Sequence, residues 1–240
     1  MTGEEACHGA YSEYTIADED LCFKVPAYLD RKEAVTVPLG ACLAQLGLFS
    51  DSCLRIDPKG GPDTTVLIWG GSGTFHTSTT SFLSPGTCLT DSACVGRFAI
   101  QLASLFRIRV IATSRPNTFS LLQSLGARHV LDYEDESVFD EIAKLAPDLD
   151  YAYDMIGSSP DVAEKLSKRL LKGSGNLCAL RYNDSYARGA APETRVCAAT
   201  AWRAFLHQHK PTADGSSRSV CSAFSLALGV VLLDEYTGPG

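Results

Sequence analysis

Between Thr65 and Arg181 the chain alternates short β-branched and aromatic runs with longer stretches whose apolar residues recur every three or four positions. That switching of period is the pattern of parallel strands joined by crossover helices. VLIWGG (66–71), RVIATS (109–114), HVLDY (129–133), YAYDMIG (151–157) and NLCALR (176–181) read as strands. VGRFAIQLASLF (95–106), NTFSLLQSLGA (117–127), ESVFDEIAKLA (136–146) and PDVAEKLSKRLL (160–171) read as the helices between and after them. Near-continuous apolar strands are buried on both faces, so the order predicts a doubly wound α/β sheet. An α/β domain of another kind is the alternative.

Upstream the texture changes. GAYSEYTIADEDLCFKVP (9–26) alternates like paired strands, and RKEAVTVPLGACLAQLGLF (31–49) reads as a loop running into a helix. Downstream of Arg181, residues 182–218 are rich in Ala, Arg, Ser and Thr without a sustained period and take no assignment. The predicted division is therefore 1–55, 56–181 and 182–240.

Charge and composition narrow the function. A formal net charge of −7 gives no cationic surface for a nucleic acid or an anionic lipid sheet. The longest nearly apolar run, Val220 to Leu233, is shorter than the roughly 20 residues of a membrane-spanning helix. The N-terminus has no basic segment followed by an apolar one, so a cytoplasmic location is expected. Nine cysteines stand at positions 7, 22, 42, 53, 88, 94, 178, 197 and 221, with no CxxC pair. Their spacing predicts free, buried thiols and no metal centre.

The chemistry lies at the strand ends. Gly70, Gly71 and Ser72 close the first strand, and Val95 and Gly96 open the first helix. A glycine turn before a helix N-terminus lets backbone amides approach a pyrophosphate, which predicts a dinucleotide. The second strand ends in Thr113, Ser114 and Arg115, and no carboxylate follows until Asp132. An acid there would bind a ribose 2′-hydroxyl, whereas small hydroxyls and arginine suit a 2′-phosphate, so NADP(H) is favoured over NAD(H). The alternative for Arg115 is an ordinary solvated loop residue. The histidines at 8, 76, 129, 207 and 209 lie in unrelated contexts and form no catalytic set.

GAYSEYTIADEDLCFKVP, EAVTVPLGACLAQLGLF, VLIWGG, VGRFAIQLA, VIATSRPNTFSLLQSLGARHVLDY and YAYDMIG together resemble the zinc-independent medium-chain dehydrogenases/reductases, in particular the fungal trans-acting enoyl reductases of polyketide pathways. The resemblance spans roughly residues 8–181. It implies a Rossmann sheet preceded by a remnant of a β-rich, GroES-like catalytic domain. It also places the pyrophosphate at Gly71, Ser72, Ala93, Cys94, Val95 and Gly96, and the 2′-phosphate at Ser114, Arg115, Pro116 and Asn117. Tyr133 would pack near the adenine, Met155 and Ile156 would line the nicotinamide side, and Val37, Pro38, Leu39, Gly40, Ala41, Cys42, Leu43 and Ala44 would border the substrate channel.

The implied reaction is hydride delivery from NADPH to the β-carbon of an α,β-unsaturated thioester, followed by protonation at the α-carbon. The implied substrate is a small or carrier-bound enoyl chain, and the implied setting is a monomer beside a polyketide megasynthase. A quinone or alkenal reductase of the same superfamily is the alternative enzyme, and a reductase fragment without turnover is the alternative outside catalysis. Three departures bear on that choice, the first being that only the last strands of the family's barrel-like catalytic domain are expected here. GTFHTSTTSFLSPGTCLTDS (73–92) interrupts a turn that the family joins almost directly, as a retained intron would. Residues 182–240 lack the expected sixth strand, which a changed reading frame or a divergent folded extension would explain.

Overall fold

The computed structural model describes residues 37–59, 61–72, 91–157, 159–171, 173–180 and 182–199, with isolated positions 14, 24, 25, 27, 30 and 34. The expectations for the paired strands at 9–26, most of the 73–92 insertion, and the Val220–Leu233 run lie outside the described residues.

Six strands form one parallel sheet in the order β3-β2-β1-β4-β5-β6. They are β1 (Thr65–Trp69), β2 (Arg109–Ser114), β3 (His129–Asp132), β4 (Tyr151–Asp154), β5 (Asn176–Ala179) and β6 (Arg195–Ala198). This is the strand order of the dinucleotide-binding doubly wound sheet, with its topological switch between β1 and β4. In register, Leu67 sits between Ile111 of β2 and Ala152 of β4, so the centre of the sheet is apolar on every side. That is why VLIW and the VIA of β2 read as unbroken hydrophobic runs.

The helices are α1 (Val37–Phe49), α2 (Asp91–Leu105), α3 (Phe119–Ser124), α4 (Val138–Leu145), α5 (Pro160–Lys165) and α6 (Asp184–Gly189). Two cores lie on the two faces of the sheet. Leu43, Leu48, Ile68, Ile100, Val110, Leu122 and Tyr153 belong to one, and Leu67, Trp69, Ile111, Ile142, Leu166 and Leu177 to the other. Each such side chain contributes about 1.5–3 kcal/mol when fully buried, so this double layer is the main source of stability.

Helix α1 is apolar around most of its circumference because it is packed on most sides. Pro38 lies in its first turn, where a missing N–H costs nothing. A Cβ on Gly47 would fall 2.2 Å from Tyr153 Cζ, and the Tyr153 hydroxyl donates to the Leu43 carbonyl at 2.9 Å. The helix is thereby seated on β4. Further along, α5 widens into a π-helical turn at Leu166–Leu170. Ser167 Oγ donates back to the Ala163 carbonyl at 2.7 Å and accepts from the Ala191 amide at 2.9 Å, tying that widened turn to the approach to β6.

Two expectations require correction. The parallel alternation does not stop at Arg181: α6 and β6 follow, and β6 pairs with β5 from Asn176↔Arg195 to Ala179↔Ala198. RVCA is only four residues long between polar and small residues, too short for a period to show. The first crossover helix also begins at Asp91 rather than Val95, so Asp91 and Ser92 of the expected insertion form its first turn. Both are residue types that favour a helix start. Among the described residues no helix is long and apolar enough to cross a membrane.

Candidate dinucleotide site

Three strand ends converge at the switch point. Gly70, directly after β1, has φ +78°, a left-handed conformation natural to glycine. A Cβ there would also lie 2.7 Å from Ile156 Cγ1, so side-chain bulk is excluded from both directions. The Gly70 amide donates to Thr113 Oγ1 and the Gly71 amide to the Thr113 carbonyl, each at 2.9 Å. On the other side the Met155 amide donates to the Trp69 carbonyl at 3.0 Å. The turn is thus fixed to β2 and to the end of β4 at once.

Helix α2 rests on this turn through Gly96. A Cβ at that position would lie 2.4 Å from the Gly71 carbonyl oxygen and 3.0 Å from Gly71 Cα, both rigid backbone atoms. Such close helix-to-turn packing is what a dinucleotide fold requires of a glycine here. Ser72 and Val95 are buried and Cys94 is half-buried. Ala93 lies in the first turn of α2.

At the end of β2, Ser114 is buried and Arg115 emerges to the surface. Arg115 Nη2 lies 3.2 Å from Glu134 Oε1. The Tyr133 phenol beside it holds the guanidinium above its ordinary pKa, desolvation works against this, and Glu134 adds to the rise. Pro116–Thr118 form a single tight helical turn, closed by the Thr118 amide and hydroxyl donating to the Arg115 carbonyl at 3.1 and 3.0 Å. Asn117 is exposed within it. Asp132, the first acid after Arg115, is on β3, opposite Ser114 in register, and accepts from the Glu134 amide at 2.9 Å. Both acids come from β3 and the turn after it, and β2 itself carries none.

Gly71, Ser72, Gly96, Ser114, Arg115, Tyr133, Met155 and Ile156 therefore share the carboxyl edge of the sheet, where ligands of open α/β sheets bind. The Val37–Ala44 segment is the amino-terminal part of α1. Within it Val37, Gly40, Ala41, Cys42, Leu43 and Ala44 are buried, while Pro38 and Leu39 are half-exposed. It abuts α2, since a Cβ on Gly40 would meet Phe98 at 2.8 Å and Cys94 Cβ at 3.0 Å.

Sequence reading missed the pair that fixes the end of β4. Asp154 is completely buried, its Oδ1 accepts from the Ile156 and Gly157 amides at 2.8 and 2.9 Å, and its Oδ2 accepts from the Tyr186 hydroxyl at 2.7 Å. Burial raises its pKa, and the bonds from Tyr186, Gly157 and Ile156 pull it back. The same burial and the facing carboxylate push the Tyr186 phenol far up. An acid inside the apolar run YAYDMIG was a signal, because a buried carboxylate needs partners. Tyr186 was not traceable, being part of the helix that had no visible period.

The geometry has counterparts in known proteins. The family model described as "Zinc-binding dehydrogenase" matches residues 94–184. Dehydrogenase pigH of Monascus ruber is 32% identical over 145 residues, covering 58% of this chain and 34% of that protein. A trans-enoyl reductase of Gibberella fujikuroi is 29% identical over 185 residues, covering 75% of this chain and 46% of that protein. The crystal structure of CurK enoyl reductase superposes with a TM-score of 0.61 at 18% identity, covering 89% of this chain and 55% of that one. The chain thus spans a third to a half of the length of these curated relatives. It has a medium-chain dehydrogenase/reductase-like fold related to that of the fungal trans-acting enoyl reductases.

Proposed function

We propose that the chain binds NADPH across the carboxyl ends of β1, β2 and β4 and forms the cofactor-binding part of a trans-acting enoyl reductase, one that reduces an α,β-unsaturated polyketide thioester beside a megasynthase. The observation that carries this reading is the β1 turn, held by Thr113 and pressed by Gly96, next to a β2 end that carries Ser114 and Arg115 and no acid of its own, the neighbouring Asp132 and Glu134 coming from β3 and the turn after it. A nicotinamide cofactor fits these residues: at Gly70 and Gly71 there is no Cβ to keep a pyrophosphate away, and Arg115 is a planar, permanently charged donor for a 2′-phosphate.

When bound, NADPH would supply the hydride that reduces the enoyl β-carbon. The chain's own residues have other tasks. Gly71, Ser72 and the first turn of α2 hold the pyrophosphate, Tyr133 flanks the adenine, and Ile156 presses on Gly70 to keep the nicotinamide side apolar. Asp154 and Tyr186 lock the 155–157 loop on which that side depends. The Val37–Ala44 helix is the proposed wall of the substrate channel.

Arg115 must leave Glu134 to meet a phosphate. That exchange is inexpensive, since an ion pair this exposed is worth about 0–1 kcal/mol. The test is calorimetry with NADPH and NADH on the unmodified chain and on Arg115→Ala. NADPH should bind at least about tenfold more tightly than NADH, and Arg115→Ala should remove most of that preference. Tighter NADH binding would refute the cofactor assignment. Consumption of NADPH with a crotonyl thioester supports the reductase reading. NADPH binding without consumption supports cofactor binding without turnover.

A further inference from the structure

Away from the dinucleotide edge, three cysteines meet in one place. Cys53 follows α1, Cys178 is in β5 and Cys197 is in β6, and their sulfur atoms all lie within 4.8 Å of one another. The sheet brings two of them together directly, because Cys178 and Cys197 are register partners. The third comes from the loop that closes α1, where the Leu54 and Ile56 amides donate to the Gly47 and Leu48 carbonyls at 3.0 and 2.9 Å. The loop is also fastened to β6 itself: Arg195 donates from its two terminal nitrogens to the Cys53 and Asp51 carbonyls. Exposures of 2, 0 and 9% leave the three side chains shielded, while Ser52 next to them is on the surface.

We propose that Cys53, Cys178 and Cys197 form a three-sulfur site for a soft divalent cation of the zinc type. The spacing suits it. A metal about 2.3 Å from each of three sulfurs sets them about 4 Å apart, a change reachable by small side-chain rotations. The ligand set is all thiol, which selects zinc-like or cuprous ions over magnesium or calcium. Charge favours the divalent choice. Three thiolates and a divalent ion total −1, and the Arg195 guanidinium, bonded to the Cys53 carbonyl, brings the buried group to neutrality. A monovalent ion would leave a buried negative charge.

Binding exchanges three thiol protons for one cation with no change of oxidation state, and it leaves a fourth coordination position for solvent. The consequence is a clamp across β5, β6 and the α1 loop at the end of the sheet opposite β3. The spacing of cysteines along the chain gave no sign of this, because the ligands come from three separate elements and contain no CxxC.

The test uses the whole chain, reduced and stripped of metal with a chelator, then titrated with Zn(II) and, for its thiolate-to-metal absorption, with Cd(II). The expected result is one tightly held ion per chain, a zinc X-ray absorption spectrum with three sulfurs at about 2.3 Å, and a higher melting temperature with metal. Cys53→Ser and Cys197→Ser should each weaken Cd(II) binding by at least about tenfold. Failure to retain zinc, a shell with fewer than three sulfurs, or undiminished Cd(II) affinity in both folded variants would overturn the assignment. If the variants do not fold, the sulfur count and stoichiometry of the unmodified chain decide it.

Discussion

Substituting Gly96 by alanine tests the site at its tightest point. The added Cβ would lie 2.4 Å from the Gly71 carbonyl oxygen, 2.9 Å from its carbon and 3.0 Å from its Cα. All three are backbone atoms of a turn that is also held by Thr113 on one side and packed against Ile100 on the other. No side-chain rotation relieves the contact, so α2 and the turn must separate by several tenths of an ångström or more. Overpacking of this kind costs about 1–3 kcal/mol. At about 2–4 °C per kcal/mol for a domain of this size, the melting temperature should fall by roughly 2–12 °C. The displacement falls on the amides of Gly71 and Ser72, so NADPH affinity should drop by at least about tenfold, a loss of about 1.4 kcal/mol. Differential scanning fluorimetry and calorimetric titration measure the two effects on the same sample. Wild-type stability together with wild-type NADPH affinity would refute the proposed contact between helix and phosphate turn.

Three further outcomes are expected. Tyr186→Phe deprives the buried Asp154 carboxylate of a hydrogen bond at 2.7 Å and should cost about 1–3 kcal/mol in urea unfolding, an unchanged midpoint being the contrary result. The raised pKa of Asp154 means that the native state holds its proton longer than the unfolded chain. Its stabilising effect is full below the ordinary value of 3.8 and is lost as pH rises through the native value, so wild type should lose stability relative to Asp154→Asn in that window, and parallel stability profiles would contradict this. Glu134→Gln frees Arg115 from an exposed ion pair and should tighten NADPH up to about fivefold with less effect on NADH, whereas weaker NADPH binding would show that Glu134 assists the site.

The strands that position the site were readable because they are central: β1, β2 and β4 are covered on both faces, so positions 66–69, 110–112 and 151–153 run without a charged residue. The β2 end stood out for a different reason, since Thr113, Ser114 and Arg115 are the polar and charged residues that close an apolar run. β6 sits at the edge of the sheet, only Cys197 of its four residues is fully shielded, and its pattern is correspondingly faint. Helix α6 has six residues, too few for a helical period, although Asn183 was a visible start signal: its side chain accepts from the Tyr186 amide at 2.7 Å. The Asp154–Tyr186 pair and the three-cysteine cluster were hidden for one shared reason. They join residues distant in sequence, and only the packed sheet brings them together.

Saturable NADPH binding, followed by nicotinamide fluorescence, to the full chain and to a chain lacking residues 73–92 tests the dinucleotide site most directly. The full chain should bind NADPH in preference to NADH, and the shortened chain, whose turn would read GGSACVG, should bind at least as tightly. Absence of binding by both would contradict a dinucleotide site at the β1 turn.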